Sequence, residues 1–535
     1  MKSDKAIRVG FIGKVFILLI RFVDLIQGSI LKNYAAFSFI VRYAPQKLGA
    51  EACYYRAFKE FLIACRRVPA YGDFLRKRGW SCTSSEPREI LRSLPLTDKP
   101  DYILAYSTEE RCLDGNFFAK GVVVDESSGA TGIPYNWVRS ETEREIVKNL
   151  IGVYLRYCFG DQKFIVLNMF SMGAWATGFN MALAAQSLGV VKSTGPDVDK
   201  ILRTLEFLGS KYPYILNGYP PFLKYLFDEG ERRGFNWRAY TIHGLVGGEG
   251  MSEGLRDYLL KYARTVFSGY GASDLEIGMA GENPLTVMIR KLCLKDLALR
   301  KTVFGDEHRL PMLFQYNPLD HLVEIINHEV VVTISKPWTL SPRIRYNIKD
   351  EGGILTFDEM KQRLASHGIH LEELERQCAY PRWYLPFLFI YGRKDSTVSV
   401  MGANIYPEDV EGIIYSVPLL AGSINGFTLS LEEDAGGNPR PCFEFELLDL
   451  RPRLEVEAML RQILSPELAK LSLDYKKARE EYPQAVEPIV RTFAMHEGPF
   501  QANLSRIKRR YVKHPAGPGG AAAAQIARPG EPPAQ

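Results

Sequence analysis

The ten residues ESSGATGIPY, Glu126 to Tyr135, come close behind the β-type run GVVV at Gly121–Val124. Two glycines, three small hydroxyl residues and one proline in this span describe a flexible loop. Its backbone N–H groups can turn toward phosphate oxygens, and Ser127, Ser128 and Thr131 can add hydroxyl donors. The Walker pattern is absent, because no Lys-Ser or Lys-Thr closes the loop. Taken alone, a plain strand-to-helix turn explains these residues equally well.

Around this loop, short β-type runs alternate with helical stretches. The strand candidates are Gly121–Val124, Lys163–Asn168, Tyr214–Asn217, Gly244–Val246 and Thr265–Ser268. The helical candidates are Glu141–Tyr157, Gly178–Leu188, Asp199–Gly209, Pro221–Arg233 and Gly254–Tyr262. Such alternation predicts an α/β domain with parallel strands. Ligands collect at strand ends of parallel sheets. There GYGASDLEIG, Gly269 to Gly278, offers the Tyr270 ring and the Asp274 carboxylate. Asp274 is a candidate for holding Mg²⁺, which takes one or two carboxylates plus phosphate oxygens; a helix cap is the bland alternative. VGGEG, Val246 to Gly250, is a second glycine-rich turn, open enough for a flat ring to approach the backbone. In IYGRKDSTVSVMGANIYPEDVEGII, Ile390 to Ile414, a polar turn between strands leads into a helix and marks a domain junction. Ser93–Ala105 is turn-rich and reads as a connecting loop.

The flanks differ in character. Gly10 to Val41 is the most apolar part of the chain, broken by Lys14, Arg21, Asp24 and Lys32. A spanning helix needs about 20 mostly apolar residues in succession, and the uncharged stretches here are shorter. Arg21 and Asp24 also disfavour a secretory signal. Two readings stay open: a helix packed on the protein's own surface, or an amphipathic helix lying on the inner membrane face. Pro515–Gln535 is rich in Pro, Gly and Ala and reads as a disordered tail. The expected organisation is an apolar helical extension over 1–50, a large domain over 51–391, a small domain over 392–514, and the tail.

The 535 residues are 46% hydrophobic and 24% charged, which excludes a disordered chain or a coiled-coil rod. A net charge of +5, spread along the chain, gives no reason to expect nucleic acid. Eight scattered cysteines without a CxxC pair suit a reducing, cytoplasmic compartment. Cys293, His308, His321 and His328 lack the spacing of a zinc site.

SSGATGIP, YGASD, RYNIKD (Arg345–Asp350), GRKD and GANIYPEDVE occur in this order. Together they resemble the adenylate-forming superfamily, in its phenylacetate–CoA ligase-like branch, over roughly Ala52 to Tyr511. The resemblance implies a large domain of mixed sheets and helices plus a small mobile C-terminal α+β domain. It implies ATP-dependent activation of an aryl or apolar carboxylic acid to an acyl adenylate. Transfer to coenzyme A, or to a carrier-protein phosphopantetheine arm, then gives a thioester. Ser127, Ser128, Gly129, Thr131 and Gly132 would hold the ATP phosphates. Gly248, Glu249, Tyr270, Gly271 and Ser273 would border the nucleotide, and Asp274 would stand at the Mg²⁺ position. Asp350, helped by Arg393, would bind the ribose hydroxyls. Asp395 would be the hinge, and Lys508 would touch the carboxylate and α-phosphate oxygens.

This chain departs from the pattern at three places. Ala130 removes a hydroxyl from the loop, Asp274 replaces a glutamate, and Ile507 precedes Lys508 where glycine is usual. These departures keep a second reading open, a degenerate relative that binds an adenylate without turnover. A third is a membrane-surface acyltransferase-like partner in a lipid or polysaccharide pathway. The oligomeric state, a homodimer included, is not legible.

Overall fold

Continuous apolar runs such as FIVLN become strands buried along their whole length, the signature of strands covered on both faces. The structure, a computed structural model, describes residues 11–44, 46–126, 135–173, 176–307, 309–378, 383–393, 398–401, 403–433, 439–449, 452–504 and 511–513. The chain divides into two compact units, Met1–Lys394 and Asp395–Gln535. Pro515–Gln535, expected to be a disordered tail, lies outside the described residues.

The first unit carries β1 (Val123–Glu126), β2 (Asn136–Arg139), β3 (Phe164–Asn168), β4 (Gly189–Ser193), β5 (Pro213–Gly218), β6 (Thr241–Gly247) and β7 (Thr265–Tyr270). After them come β8 (Ala280–Gly281), β9 (Met312–Tyr316), β10 (His321–Ile326), β11 (Glu329–Ile334), β12 (Tyr346–Leu355) and β13 (Phe387–Arg393). Among the described residues eleven of these form one mixed sheet, in the order β10-β11-β12-β13-β9-β8-β7-β6-β5-β3-β4. The stretch β4-β3-β5-β6-β7 is parallel, and the remaining pairs are antiparallel. The expected α/β class with mixed sheets therefore holds. Chain direction reverses around β3, which has β4 on one side and β5 on the other. That makes the ends of β3 and β5 a switch point, where ligands bind in open α/β sheets.

Two local expectations change. The run GVVV does not join the parallel sheet: among the described residues β1 pairs with β2 alone, as an antiparallel ribbon from Val123↔Arg139 to Glu126↔Asn136. The segment 127–134 between these two strands lies outside the described residues. The helix Glu141–Phe159 starts only after β2, with a capping box of Ser140 and Glu143 that fills its N-terminus with carboxylates. In Ser93–Ala105, expected to be loop, Lys99–Ile103 forms one wide helical turn, started by Asp98 accepting from the Asp101 N–H.

At the N-terminus α1 (Phe11–Lys32), α2 (Tyr34–Tyr43) and α3 (Gln46–Arg67) follow one another. Helix α1 packs against α3 and the helix Glu141–Phe159, with Phe16 stacked on Tyr55 at 4.5 Å. Buried Asp24 accepts from Arg56 Nε at 3.0 Å and pairs with Lys59. Arg56 reaches Asp320 at 3.1 Å and the Leu319 carbonyl at 3.0 Å. Gln27 Nε2 donates to Asp320 at 2.8 Å. The packed-helix reading of this segment accounts for one of its faces.

In the second unit a four-stranded sheet runs Ile489–Ala494, Pro439–Leu447, Ile424–Glu433, Val512–Lys513. Its core joins Phe427, Leu429, Phe443 and Phe445 to Val410, Ile413 and Ile414 of the helix Pro407–Ser416. Val456, Leu460 and Leu464 of the helix Arg453–Leu471 complete it.

Candidate active site

β6 and β7 run side by side, Gly247 opposite Gly269, and deliver two turns to the same sheet edge. Gly248, which follows β6, has φ 84°, a conformation that favours glycine. Glu249 lies near Tyr219: burial first, then the Glu249 charge, pushes the Tyr219 phenol up. Tyr270 ends β7. Its hydroxyl donates to Asp350 Oδ2 at 2.6 Å, and its ring stacks on Phe314 at 5.7 Å. Burial and then the Asp350 carboxylate raise its pKa well above the phenol range, so the hydroxyl stays a donor. Asp350 and Arg393 face each other in the β12–β13 register. Tyr270, Asp350 and Arg393, far apart in sequence, are brought together.

Beyond Tyr270 the chain folds back tightly. Ala272 N–H donates to the Glu276 carbonyl at 3.0 Å. A Cβ on Gly271 would stand 2.6 Å from that carbonyl oxygen, so glycine is required there by close approach. Ser273 offers its carbonyl to Arg139 Nη2 at 2.6 Å. Asp274 Oδ2 accepts from the Tyr346 hydroxyl at 2.6 Å, and its carbonyl accepts from Arg343 Nε at 3.0 Å. The helix-cap alternative for Asp274 is not met, since the next helix begins at Pro284.

Ser127, Ser128, Gly129, Thr131 and Gly132 lie outside the described residues, as do Asp395 and Lys508. The ribbon that carries the 127–135 loop is described, and three buried arginines gather at it. Arg111 bonds the Tyr135 hydroxyl. Arg139 faces Asp125 at 3.6 Å and Glu143 at 3.4 Å. Arg343 lies over the Trp137 ring at 4.8 Å. The hydrogen bonds of Arg343 go to carbonyl oxygens, and its Nη2 has no hydrogen-bond partner among the described residues. Burial, then the like charge of Arg139, pushes its pKa down to about 9. Guanidinium groups gathered at this ribbon are suited to phosphate oxygens.

Sequence reasoning missed Arg343, Arg139 and a buried cluster on Glu276. The Glu276 carboxylate meets both Lys336 and His321. Burial alone would raise its pKa, but those two partners hold it well below the usual carboxylate range. It also missed Asn217, at the β5 end of the switch point. Asn217 is fully buried, and neither amide atom has a partner among the described residues. A buried, unpaired amide costs about 1–3 kcal/mol, a cost a ligand or water can offset. For Mg²⁺, no cluster of three or more candidate ligands exists among the described residues. Asp274 alone suits an ion that takes its other oxygens from phosphate and water.

No protein-family model matches the sequence, and no curated protein matches it. Solved structures do. A 2-hydroxyisobutyryl-CoA ligase in the postadenylation state, in complex with R3-HIB-AMP, aligns over 89% of this chain and 91% of its own. The TM-score is 0.63 at 12% identity. The same ligase with 2-HIB-AMP and CoA in the thioesterification state gives 0.52 at 13% identity, over 89% and 91%. The chain has the fold of the adenylate-forming CoA ligases.

Proposed function

We propose that this protein is an AMP-forming acid–thiol ligase of the phenylacetate–CoA ligase-like kind. It couples a carboxylic acid to ATP, releases pyrophosphate, and passes the acyl group to a thiol. The observation that carries this reading is the Tyr270 hydroxyl on Asp350, opposite Arg393, on a fold whose solved examples hold acyl adenylates. In this reading the Tyr270 ring and the Gly248–Glu249 turn border the base, and Asp350 with Arg393 binds the ribose. Ser127, Ser128, Gly129, Thr131 and Gly132 hold the phosphates, together with Arg111, Arg139 and Arg343. The mechanism is positioning plus charge stabilisation. As negative charge spreads over the phosphate oxygens, the preorganised guanidinium groups meet it without rearranging. Asp274 would hold Mg²⁺, which would supply further neutralisation of phosphate charge. Lys508 steadies the carboxylate at the α-phosphorus, and Asp395 is the pivot of the small domain between half-reactions.

The acid is aryl or apolar and seats at the switch point, beside Met169 and Phe170. Phe170 meets the Tyr219 ring edge-on at 5.0 Å. Asn217 gives this pocket its polar contact. The acceptor is coenzyme A or a carrier-protein phosphopantetheine. All eight cysteines are free, which supports a cytoplasmic setting.

The test is pyrophosphate release from ATP and Mg²⁺ across aryl, short-chain and long-chain acids, followed by thioester detection with coenzyme A or a pantetheinylated carrier. Release that depends on one class of acid is expected. ATP binding without release for any acid would replace this reading with a non-catalytic adenylate-binding protein.

A further inference from the structure

Helix α1 is apolar on two opposite faces, and only one of them is used. Gly13, Ile20, Asp24, Gln27 and Leu31 are buried against the domain. On the other side Val15, Leu18, Leu19, Phe22, Leu25 and Ile26 are exposed, with Leu25 at 71%, Leu18 at 67% and Phe22 at 61%. The helix cannot roll to bury this second stripe. Asp24 and Gln27 are held in the ion network with Arg56, Lys59 and Asp320. The next helix, α2, exposes Phe39, Ile40 and Tyr43 as well.

The charges decide what this face meets. At about 3.6 residues per turn, Lys14, Arg21 and Lys32 fall along one line beside Leu18 and Leu25, and all three are exposed. The one acid of α1, Asp24, is turned inward and paired. Met1–Tyr43 holds seven basic residues and two acidic ones. No described helix is long and apolar enough to cross a membrane. An apolar stripe with a basic edge, fixed flat on a folded domain, matches a helix that lies in the headgroup layer. There the leucines and phenylalanine enter the acyl boundary, while the lysine and arginine stems extend to anionic headgroups. A second copy is a poorer occupant, since a two-fold pairing of this face sets its basic edges together with no exposed acid of α1 to meet them.

We infer that the exposed face of α1 docks the protein on an anionic phospholipid surface. The inference is independent of the ligase chemistry. The full chain is sedimented with vesicles of phosphatidylcholine alone and of phosphatidylcholine with phosphatidylserine, at low and high salt. Two variants accompany it, Leu18→Glu/Phe22→Glu/Leu25→Glu and Lys14→Gln/Arg21→Gln/Lys32→Gln. All six side chains are exposed, so circular dichroism and thermal melting should match the parent. The parent should pellet with phosphatidylserine vesicles and be released by salt. The apolar variant should stay in the supernatant. The basic variant should bind about fivefold more weakly per residue, roughly a hundredfold in all. No pelleting of the parent at low salt, equal pelleting of all three proteins, or equal binding to neutral vesicles would overturn the inference. So would a dimer, seen by sedimentation velocity, that vesicles leave intact and the apolar variant abolishes.

Discussion

Arg56 and Arg343 are both fully buried arginines of the first unit, and their surroundings are opposite. Around Arg56, two carboxylates, the Gln27 amide oxygen and the Leu319 carbonyl take up its donors. Around Arg343 the hydrogen-bond acceptors are carbonyls and the stacking partner is a tryptophan ring; the nearby charges are Arg139, Arg111 and one carboxylate, Glu143, to which it makes no hydrogen bond. A buried charge whose partners are all supplied by the protein holds parts together. One whose donors meet no carboxylate is suited to an anion that arrives. The first arrangement fastens α1 to the domain; the second lies against Trp137 of the β1–β2 ribbon.

The largest effect should come from breaking the completed network. Arg56→Ala leaves Asp24 with Lys59 alone and takes from Asp320 its paired cation, and losing one partner of a buried ion pair costs about 3–5 kcal/mol. A sharp drop in melting temperature is expected, with kcat unchanged on the protein still folded. A melting curve like the parent's would erase the contrast between the two arginines.

Much of the fold was legible because apolar periodicity is a local property. Phe164–Asn168 and Thr265–Tyr270 are runs that read as strands on sight. The site was legible only where several motifs resemble a family in one order, which singled out Tyr270, Asp350 and Arg393 before their convergence could be seen. Arg343, Arg56 and Glu276 were not legible. Their meaning depends on partners hundreds or tens of residues away, such as Asp320 for Arg56 or Lys336 for Glu276. The ribbon was misplaced for a related reason: β1 is partly exposed, and nothing in GVVV says which strand will be its neighbour.

The second prediction sharpens the comparison from the other side. Arg343→Gln should slow adenylation about a hundredfold, equivalent to about 3 kcal/mol, the scale for one preorganised group facing developing charge. Its melting temperature should fall far less than that of Arg56→Ala, because removing a buried charge that is bonded to no carboxylate also removes a desolvation cost. Single-turnover adenylate formation and melting, measured on the same preparation, check both halves. A stability loss equal to that of Arg56→Ala with an unchanged rate would make Arg343 structural.

A third solution to burying a titratable group is to leave it uncharged. His243, on β6, meets Phe159 and Phe164 edge-on and bonds Thr265 through Nδ1 at 2.8 Å. Burial, then the Arg264 charge, pushes its pKa down from 6.5 to about 4. The folded state resists protonation that the unfolded chain accepts. This contribution to stability is therefore complete above pH 6.5 and is lost as pH falls toward 4. The loss should be on the order of 2 kcal/mol once partial exposure is allowed for. Denaturant titrations at several pH values should show a shallower acid slope in His243→Gln. An identical slope would mean the ring takes up its proton as readily in the folded state as in the unfolded chain.

The smallest effect concerns a pair that stands between these extremes. Asp350 is a carboxylate met by a neutral donor, Tyr270, and placed across the strand pair from Arg393. Tyr270→Phe keeps the ring on Phe314 and removes only the hydroxyl. One such bond contributes about 1 kcal/mol net, so the KM for ATP should rise about fivefold. With the stacking face intact and the reacting phosphates distant from the lost oxygen, kcat should hold. A ribose site depends on how Asp350 is oriented, so the deficit should shrink for ATP analogues lacking the 2′-hydroxyl, which have less to lose. A purely structural bond predicts the reverse pattern, a lower melting temperature with KM for ATP and its analogue unchanged. Measuring both KM values beside the melting curve separates the two outcomes.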